Sequence, residues 1–404
     1  GQLVADLSAG LAVDMEKHTL AVRDLLLKAF DLSLRGQVQG SGIGADTPQF
    51  TGTLKLDEFV PRDLLKKLGQ QVPETSDAAV LGKAAAEAAF KAGTKSASLS
   101  DLKLRLDDTR ITGSAGISDF STAAVTFNLV VDAIDLDRYL PPRKPEPAKP
   151  ESAAPAPATA GSASAAGAAA LLPVDTLRGL KLNGTLKIGQ LKAYQMKSSD
   201  VSVTLAANDG LVRAHPASAR MYQGSYNGDV TVDVRGKQPR IAMNEKLTGV
   251  QIEPLLTDMQ GKAKITGTAN MALKLSAVGN QPEAIRRTMN GNASFAFTDG
   301  VIKGMDVLGE IRKAYALVRG KPSTNVSGET EFSALTGTAT ITNGLVNNPD
   351  LQGKSPLMQV QGNGTANLVT EALDYRITAT LVDSLEGRGE LTGRPIPVSI
   401  TGTF

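Results

Sequence analysis

Residues 50–69 read FTGTLKLDEFVPRDLLKKLG, and residues 125–142 repeat the same plan as VTFNLVVDAIDLDRYLPP. Each copy begins with alternating apolar and polar residues, passes through an acidic residue and ends in a short amphipathic tag. A looser third copy, PRIAMNEKLTGVQIEPLLTDMQ, occupies residues 239–260. Repetition of one strand-containing unit is typical of scaffolds that grow by adding units, and not of enzymes built around one site. The repeats therefore predict a β-rich scaffold.

The alternation extends beyond the repeats and predicts antiparallel strands, each with one apolar and one polar face. It is clearest in five segments, residues 101–106, 125–132, 229–235, 373–381 and 396–404. Residues that tolerate positive φ separate the strand patterns and predict hairpin turns. The clearest of these turn signals are Asn208-Asp209-Gly210, Asp299-Gly300 and Asn343-Gly344.

Helical patterns are few. Short helices are predicted at residues 61–69 and 281–290, and a longer amphipathic helix at residues 304–319. The Ala-rich residues 76–95 fit either a helix or a loop. The sequence therefore predicts a mainly β protein with a few short amphipathic helices.

Composition excludes several classes of function. The 404 residues are 41% hydrophobic but only 4% aromatic, so the apolar surface is mostly aliphatic. The net charge of +2 gives no reason to expect a nucleic-acid partner. Absence of Cys excludes disulfides and thiolate chemistry. No run approaches the roughly 18 apolar residues that span a bilayer, and we expect the first residues to be the cut edge of a longer protein.

A tract rich in Pro, Ala and Ser divides the chain. Residues 143–170 carry no apolar side chain larger than Ala, so burial cannot offset the entropy lost on ordering. The tract is expected to be a linker or a disordered insertion. It separates a first β segment, residues 1–142, from a second, residues 171–404. The two segments are either separate domains or one continuous sheet with the tract looped out.

The sequence predicts no catalytic group, cofactor or metal. Its two histidines, His18 and His215, are far apart in the chain. Asp132, Asp135 and Asp137 do not have the spacing of a calcium loop, and we expect them to cap turns where a strand meets a helix.

The apolar strand faces must be covered either by a second sheet or by a ligand, and periodicity alone leaves both open. If a ligand covers them, alternating apolar residues line its groove. These candidates are Leu102, Leu104, Leu106, Phe127, Leu129, Val131, Val230, Val232, Val234, Phe295, Phe297, Tyr375, Ile377, Val398 and Ile400.

Long stretches of the chain resemble the C-terminal portion of the AsmA family, in the family's order. They are DLDRYLPP at 135–142 with the tract that follows, LRGLKLNGTLKIGQLKA at 177–193, KLTGVQIEPLLTDMQGKAKITGTANM at 246–271, RRTMNGNASFAFTDGVIKGMDV at 286–307 and LTGRPIPVSITGTF at 391–404. None of these stretches is a catalytic motif, so the resemblance specifies a scaffold.

The resemblance implies a location and a role. AsmA-like proteins are held in the Gram-negative inner membrane by an N-terminal helix, which we expect to be missing from this sequence, with the remainder in the periplasm. They are similar to bridge-like lipid transfer proteins, whose antiparallel sheets curl into an elongated apolar groove. The implied role is non-enzymatic phospholipid transport between inner and outer membranes. The implied partners are phospholipid acyl chains, both membranes, and membrane or periplasmic proteins. The alternative is a β-scaffold that assists outer-membrane protein or lipopolysaccharide assembly without carrying lipid.

Overall fold

The computed structural model describes residues 5–142, 170–304, 306–309, 311, 313, 328–382 and 393–403. These residues contain twenty strands of nine to fourteen residues. The strands are β1 Ala5–Asp14, β2 Thr19–Ala29, β3 Leu32–Ser41, β4 Gln49–Phe59, β5 Ala84–Ala92, β6 Ala97–Leu106, β7 Thr109–Ile117, β8 Val125–Asp135, β9 Leu182–Ala193, β10 Met196–Asn208, β11 Leu211–Met221, β12 Gly224–Asp233, β13 Arg240–Gln251, β14 Thr268–Val278, β15 Asn290–Lys303, β16 Glu329–Thr342, β17 Leu345–Lys354, β18 Met358–Asn367, β19 Ala372–Leu381 and β20 Pro395–Thr403.

The strands form one sheet in which each strand pairs with the next one along the chain. All neighbouring pairs are antiparallel except β8 and β9, which run in parallel. Within the described residues, β1 pairs only with β2 and β20 only with β19, so the sheet does not close into a barrel. The predicted fold class, an antiparallel β-sheet groove with short helices, is confirmed.

The short helices gather mainly along one side of the sheet. Three of them follow the ends of β4, β8 and β13, at the side we call the tag edge. They are α1 Pro61–Lys67, a 3₁₀ turn Leu136–Arg138 and α3 Ile252–Gln260. The opposite side, the turn edge, carries hairpin turns together with α2 Val174–Gly179 and α4 Pro282–Thr288. The repeated strand-plus-tag unit of the sequence therefore places every copy of its tag on the same long edge.

The helix predictions hold in part. Helices α1 and α4 confirm those predicted at residues 61–69 and 281–290. Residues 307–309, 311 and 313 are helical, Gly304 and Asp306 before them are not, and the remaining residues of the predicted helix lie outside the described residues.

The Ala-rich residues 76–95 contain a strand, so the expectation of a helix or a loop was wrong. Strand β5 lies between β4 and β6 and pairs with both along most of its length. Alanine favours helix only weakly, and two flanking strands with unpaired backbone groups override that preference. Small alanine side chains also leave space for the larger residues opposite them, such as Leu56 and Leu104.

Two of the three predicted hairpin turns are confirmed and one was wrong. Asn208-Asp209-Gly210 connects β10 with β11, and Asn343-Gly344 connects β16 with β17. Asp299-Gly300 instead lies inside β15, where Asp299 has a φ of 51°. Strand β16 is long enough to pair on both sides of this point. The positive φ therefore produces a local irregularity in a continuing strand and no reversal.

The sheet is a single layer that curls toward its apolar face. In β4 and β13, apolar side chains are partly buried and the polar side chains between them are exposed. Curvature toward one face brings the side chains of that face together and away from water, which fits this difference. Apolar side chains in the middle of the strands, such as Leu54, Val230 and Met243, are only partly buried. Much of the apolar face is therefore in contact with solvent.

Candidate functional site

An unbroken row of apolar residues crosses all twenty strands. In a sheet, directly paired residues share a face, so the row can be followed from one partner to the next. Every member is aliphatic, aromatic, methionine or glycine. This apolar row consists of Leu11, Val22, Val38, Gly52, Phe90, Leu99, Ala115, Phe127, Gly184, Leu205, Ala214, Val230, Met243, Leu275, Gly291, Ile341, Val346, Ala366, Leu373 and Gly402.

The apolar row runs perpendicular to the strands, along the length of the sheet. Nineteen steps at the usual strand spacing amount to a path on the order of 90 Å. The opposite face has a different character. Its corresponding row through the middle of the sheet reads Thr126, Asn183, Ala206, Arg213, Thr231, Ala242, Ser276 and Asn290. The sheet therefore has one continuous apolar face and one polar face.

The candidate lining residues fall on four sections of this sheet. Those on β6 and β8 meet through β7, where Gly113 pairs with both Leu102 and Leu129. A second section lies on β12, and a third on β15, where the rings of Phe295 and Phe297 have centroids 5.7 Å apart. The fourth joins β19 to β20, where Tyr375 and Ile377 face Ile400 and Val398.

Most of these candidates are only partly buried, as expected for a lining that is not covered by a second layer. Val131 is buried, and Val398 is exposed. Val234 differs from the others because it lies just beyond the end of β12, where its amide donates to Gly210 O at 2.8 Å. Its side chain is fully buried at the turn edge.

Helix α3 closes one stretch of the tag edge. Ile252 and Leu255 are buried against Val250 and Ala269 of the sheet, with Met196 and Phe297 packed around them. The helix ends at Gly261, whose φ of 75° suits the left-handed conformation of a C-cap. The apolar side of α3 thus covers the end of the apolar face and leaves the middle of the strands open.

The tag after β8 is fixed by carboxylates, as its sequence predicted. Asp135 caps the 3₁₀ turn by accepting from the amide of Asp137 at 3.0 Å. Asp137 in turn accepts from the amides of Tyr194 and Gln195, at 2.6 and 2.8 Å. The tag therefore holds the turn between β9 and β10, across the parallel pair of strands.

A buried carboxylate that the sequence did not single out anchors the same tag. Asp107, in the turn between β6 and β7, is only 4% exposed. It accepts from the Tyr139 hydroxyl at 2.8 Å and from the amides of Leu81, Gly82 and Lys83. Burial by itself raises the pKa of Asp107, but these donors outweigh it and leave the pKa below its ordinary value. Burial of the Tyr139 hydroxyl and, after it, the hydrogen bond to Asp107 raise the pKa of Tyr139 to about 12.

Glu245 places a carboxyl group on the apolar face of β13. It pairs with Gly228 of β12 and lies beside the Tyr226 hydroxyl. One of its oxygens, Oε2, is buried and has no hydrogen-bond partner. Burial, followed by the neighbouring carboxylate, raises the pKa of Tyr226. The pair lies next to the apolar row without interrupting it.

A cavity of 810 Å³ lies at the tag edge between the tag after β8 and the end of β11. Four cationic side chains line it, and each is held by a carboxylate. Arg138 pairs with Asp77 and Asp108, Lys192 with Asp135, Lys197 with Asp258 and Arg220 with Asp200. The cavity therefore offers little uncompensated positive charge to an anion.

Neither histidine belongs to a site within the described residues. His18 Nδ1 lies 3.0 Å from Ile43 O, and His215 Nδ1 lies 3.1 Å from an Asp229 oxygen. In the same residues, no group of three His, Cys, Asp or Glu side chains gathers closely enough to hold a metal ion. The described helices are also too short or too polar to cross a membrane. The apolar face is thus the feature that could hold a ligand.

Comparison with known proteins agrees with this architecture. The family model described as AsmA family matches residues 12–351. The chain belongs to the AsmA family. It is 24% identical over 234 residues to Protein AsmA of Escherichia coli (strain K12), an overlap of 56% of this chain and 38% of that relative. The family predicted from the sequence is confirmed, and the overlap covers well under half of the relative's length.

Most of the apolar row falls within the part of the chain that matches the AsmA model. Only Leu11, Ala366, Leu373 and Gly402 lie outside residues 12–351. The continuous apolar face is thus a property of the AsmA-like region itself.

Proposed function

We propose that this protein carries phospholipid on its apolar face and supports phospholipid transport between the inner and outer membranes. The proposed role is non-enzymatic. The protein would act in the periplasm while it is attached to the inner membrane. The observation that carries the proposal is the apolar row, which runs the length of the sheet without a polar side chain. The AsmA family membership supports the same location.

Acyl chains lying on this face would leave water while the headgroups stay at the rim of the sheet. Each buried methylene contributes roughly 0.8 kcal/mol, so half-burying one chain of about fifteen methylenes contributes roughly 6 kcal/mol. This stabilisation is not directional, because apolar burial depends on area. A lipid could therefore move along the row without losing specific contacts at each step.

Native mass spectrometry of the full chain, purified without added lipid, tests the proposal. We expect bound phospholipid in the wild type. Val230→Asp puts a charge in the apolar row, and Thr231→Asp puts the same charge on the polar face of the same strand. The first variant should lose most of the lipid and the second should retain it.

A second matched pair, Ile377→Asp and Thr378→Asp on β19, guards against misfolding of one variant. Circular dichroism should show that the compared variants are folded. Wild-type protein without phospholipid would contradict the proposal and favour a scaffold that carries no lipid. Equal lipid in folded Val230→Asp and Thr231→Asp would show that the apolar face is not where lipid binds.

A further inference from the structure

Aromatic side chains in the sheet are always paired with a very small residue. The described strands contain nine phenylalanines and tyrosines, and each has a glycine or alanine directly opposite on a neighbouring strand. The pairs are Phe50–Gly40, Phe59–Ala84, Phe90–Gly52, Phe127–Gly184, Tyr226–Ala219, Phe295–Gly337, Phe297–Ala269, Phe332–Gly300 and Tyr375–Gly364.

A positive φ does not explain the glycines of these pairs, since none of the six has one. Lack of space explains them. At four of them a Cβ would meet both a backbone carbonyl oxygen, at 2.0–2.4 Å, and the partner ring, at 2.4–2.8 Å; these are Gly52, Gly184, Gly300 and Gly364. At Gly337 the ring is the nearest neighbour. A Cβ atom on Gly337 would lie 2.8 Å from Cζ of Phe295, 3.0 Å from Nδ2 of Asn348 and 3.2 Å from Cε1 of Phe295, with no backbone atom among these neighbours. The Phe295 ring thus occupies the place where a side chain of residue 337 would be.

The same arrangement recurs in other sections of the sheet. A Cβ on Gly40 would lie 3.2 Å from Cε1 of Phe50 and 3.0 Å from Cδ1 of Ile43, and one on Gly364 would overlap the Tyr375 ring. A Cβ on Gly362, the diagonal neighbour of Tyr375, would lie 3.0 Å from its Cε1. In each section the ring leans over its small partner and does not stand away from the sheet.

We infer that these small residues keep the lipid path open by letting each aromatic ring lie flat on the sheet. This inference rests on the proposed function. A ring that lies over a glycine presents its face as part of the wall. A larger partner would force the ring to stand out into the space that an acyl chain would use. The glycines under the rings are therefore positioning residues for the lipid path.

Photo-crosslinking at two sections of the full chain tests this role. One crosslinking residue replaces Leu335, which pairs with Phe297 beside the Phe295 ring. The other replaces Val22, in the apolar row on β2, and serves as a distant reference. The probe is a diacyl phospholipid supplied in vesicles. Gly337→Val should reduce crosslinking at residue 335 several-fold and leave residue 22 unchanged.

Two further variants distinguish blockage of the lipid path by the ring from a general loss of structure. Phe295→Ala combined with Gly337→Val removes the displaced ring and should restore crosslinking at residue 335. Ala339→Val is the matched control, because Ala339 lies on the same strand and face as Gly337 but pairs with Ala293 and not with a ring. It should have little effect.

Wild-type crosslinking at residue 335 in folded Gly337→Val, or no recovery in the double variant, would overturn the inference. If Gly337→Val does not fold, residue 22 also loses its signal, and Gly40→Val with and without Phe50→Ala then provides the same test, with residue 335 as the distant reference. Failure of the proposed function looks different, since the unsubstituted chain would then crosslink no phospholipid at either position.

Discussion

Asp107→Asn is expected to release the anchor of the tag after β8. In the wild type, Oδ1 accepts from the amides of Gly82 and Lys83, while Oδ2 accepts from the Leu81 amide and the Tyr139 hydroxyl. An asparagine keeps the shape but replaces one acceptor by an NH₂ donor. The least costly arrangement turns the NH₂ toward the Tyr139 hydroxyl, which can rotate to accept. The Leu81 amide then has no partner, and the remaining bonds lose the charge.

The magnitude follows from those contacts. A hydrogen bond to a charged group contributes about 1.5–3 kcal/mol, and an unpaired buried donor costs about 1–3 kcal/mol. Asp107→Asn should therefore cost about 2–4 kcal/mol locally, which corresponds to roughly 30- to 1,000-fold faster exchange of the protected amides. Hydrogen exchange with mass spectrometry on peptides that contain residues 81–83 measures it.

Asp108→Asn is the matched control, because the Asp108 side chain is 74% exposed and contacts only Arg138 among the ion pairs of this region. Exposed pairs contribute little to stability, so exchange at residues 81–83 should hardly change. Unchanged protection in Asp107→Asn, or an equal effect in Asp108→Asn, would refute the reasoning.

Three further predictions concern other parts of the sheet. The pKa of Asp107 in the folded protein is below its ordinary value of 3.8. The stabilisation by this carboxylate is therefore complete above pH 3.8 and is lost as the pH falls through the pKa of the folded state. Amide protection of residues 81–83, corrected for intrinsic exchange, should fall in that pH range in the wild type but not in Asp107→Asn. Leu255→Ala removes a buried side chain of α3 and should destabilise the tag edge by about 2–5 kcal/mol, seen as faster exchange in α3 but not in α4. Glu245→Leu removes an oxygen that is buried without a partner and should raise the unfolding midpoint in denaturant, since such burial costs about 1–3 kcal/mol; a lowered midpoint would show that the carboxyl group is stabilising.

The strands and tags could be predicted because their signals are local. Alternation in β6, β8, β12, β19 and β20 directly reports one wet and one dry face. Each tag carries a proline or an acidic residue in its first turn, where either one suits a helix. Strand β5 could not be predicted in this way, because AAAEAAFKA has no alternation. Its structure depends on the two strands that flank it.

The apolar row and the pairs of rings with glycines could not be predicted, because both depend on register. Phe127 and Gly184 are 57 positions apart in the chain and become partners only through the parallel pairing of β8 with β9. Asp107 could not be identified from the sequence for a similar reason. Its partners Leu81 and Tyr139 come from turns that are distant in the chain.

The parallel pairing of β8 with β9 also determines at which edge of the sheet every later strand ends. In an uninterrupted antiparallel meander, even-numbered strands would all run one way and odd-numbered strands the other. Strands β4 and β8 end at the tag edge, so β13 would then end at the turn edge and carry α3 to the opposite side. The parallel step shifts this parity by one strand. Insertion of an even number of strands anywhere in the sheet would keep all three tags on the tag edge. Insertion of an odd number of strands between two tags would move the later tag to the turn edge.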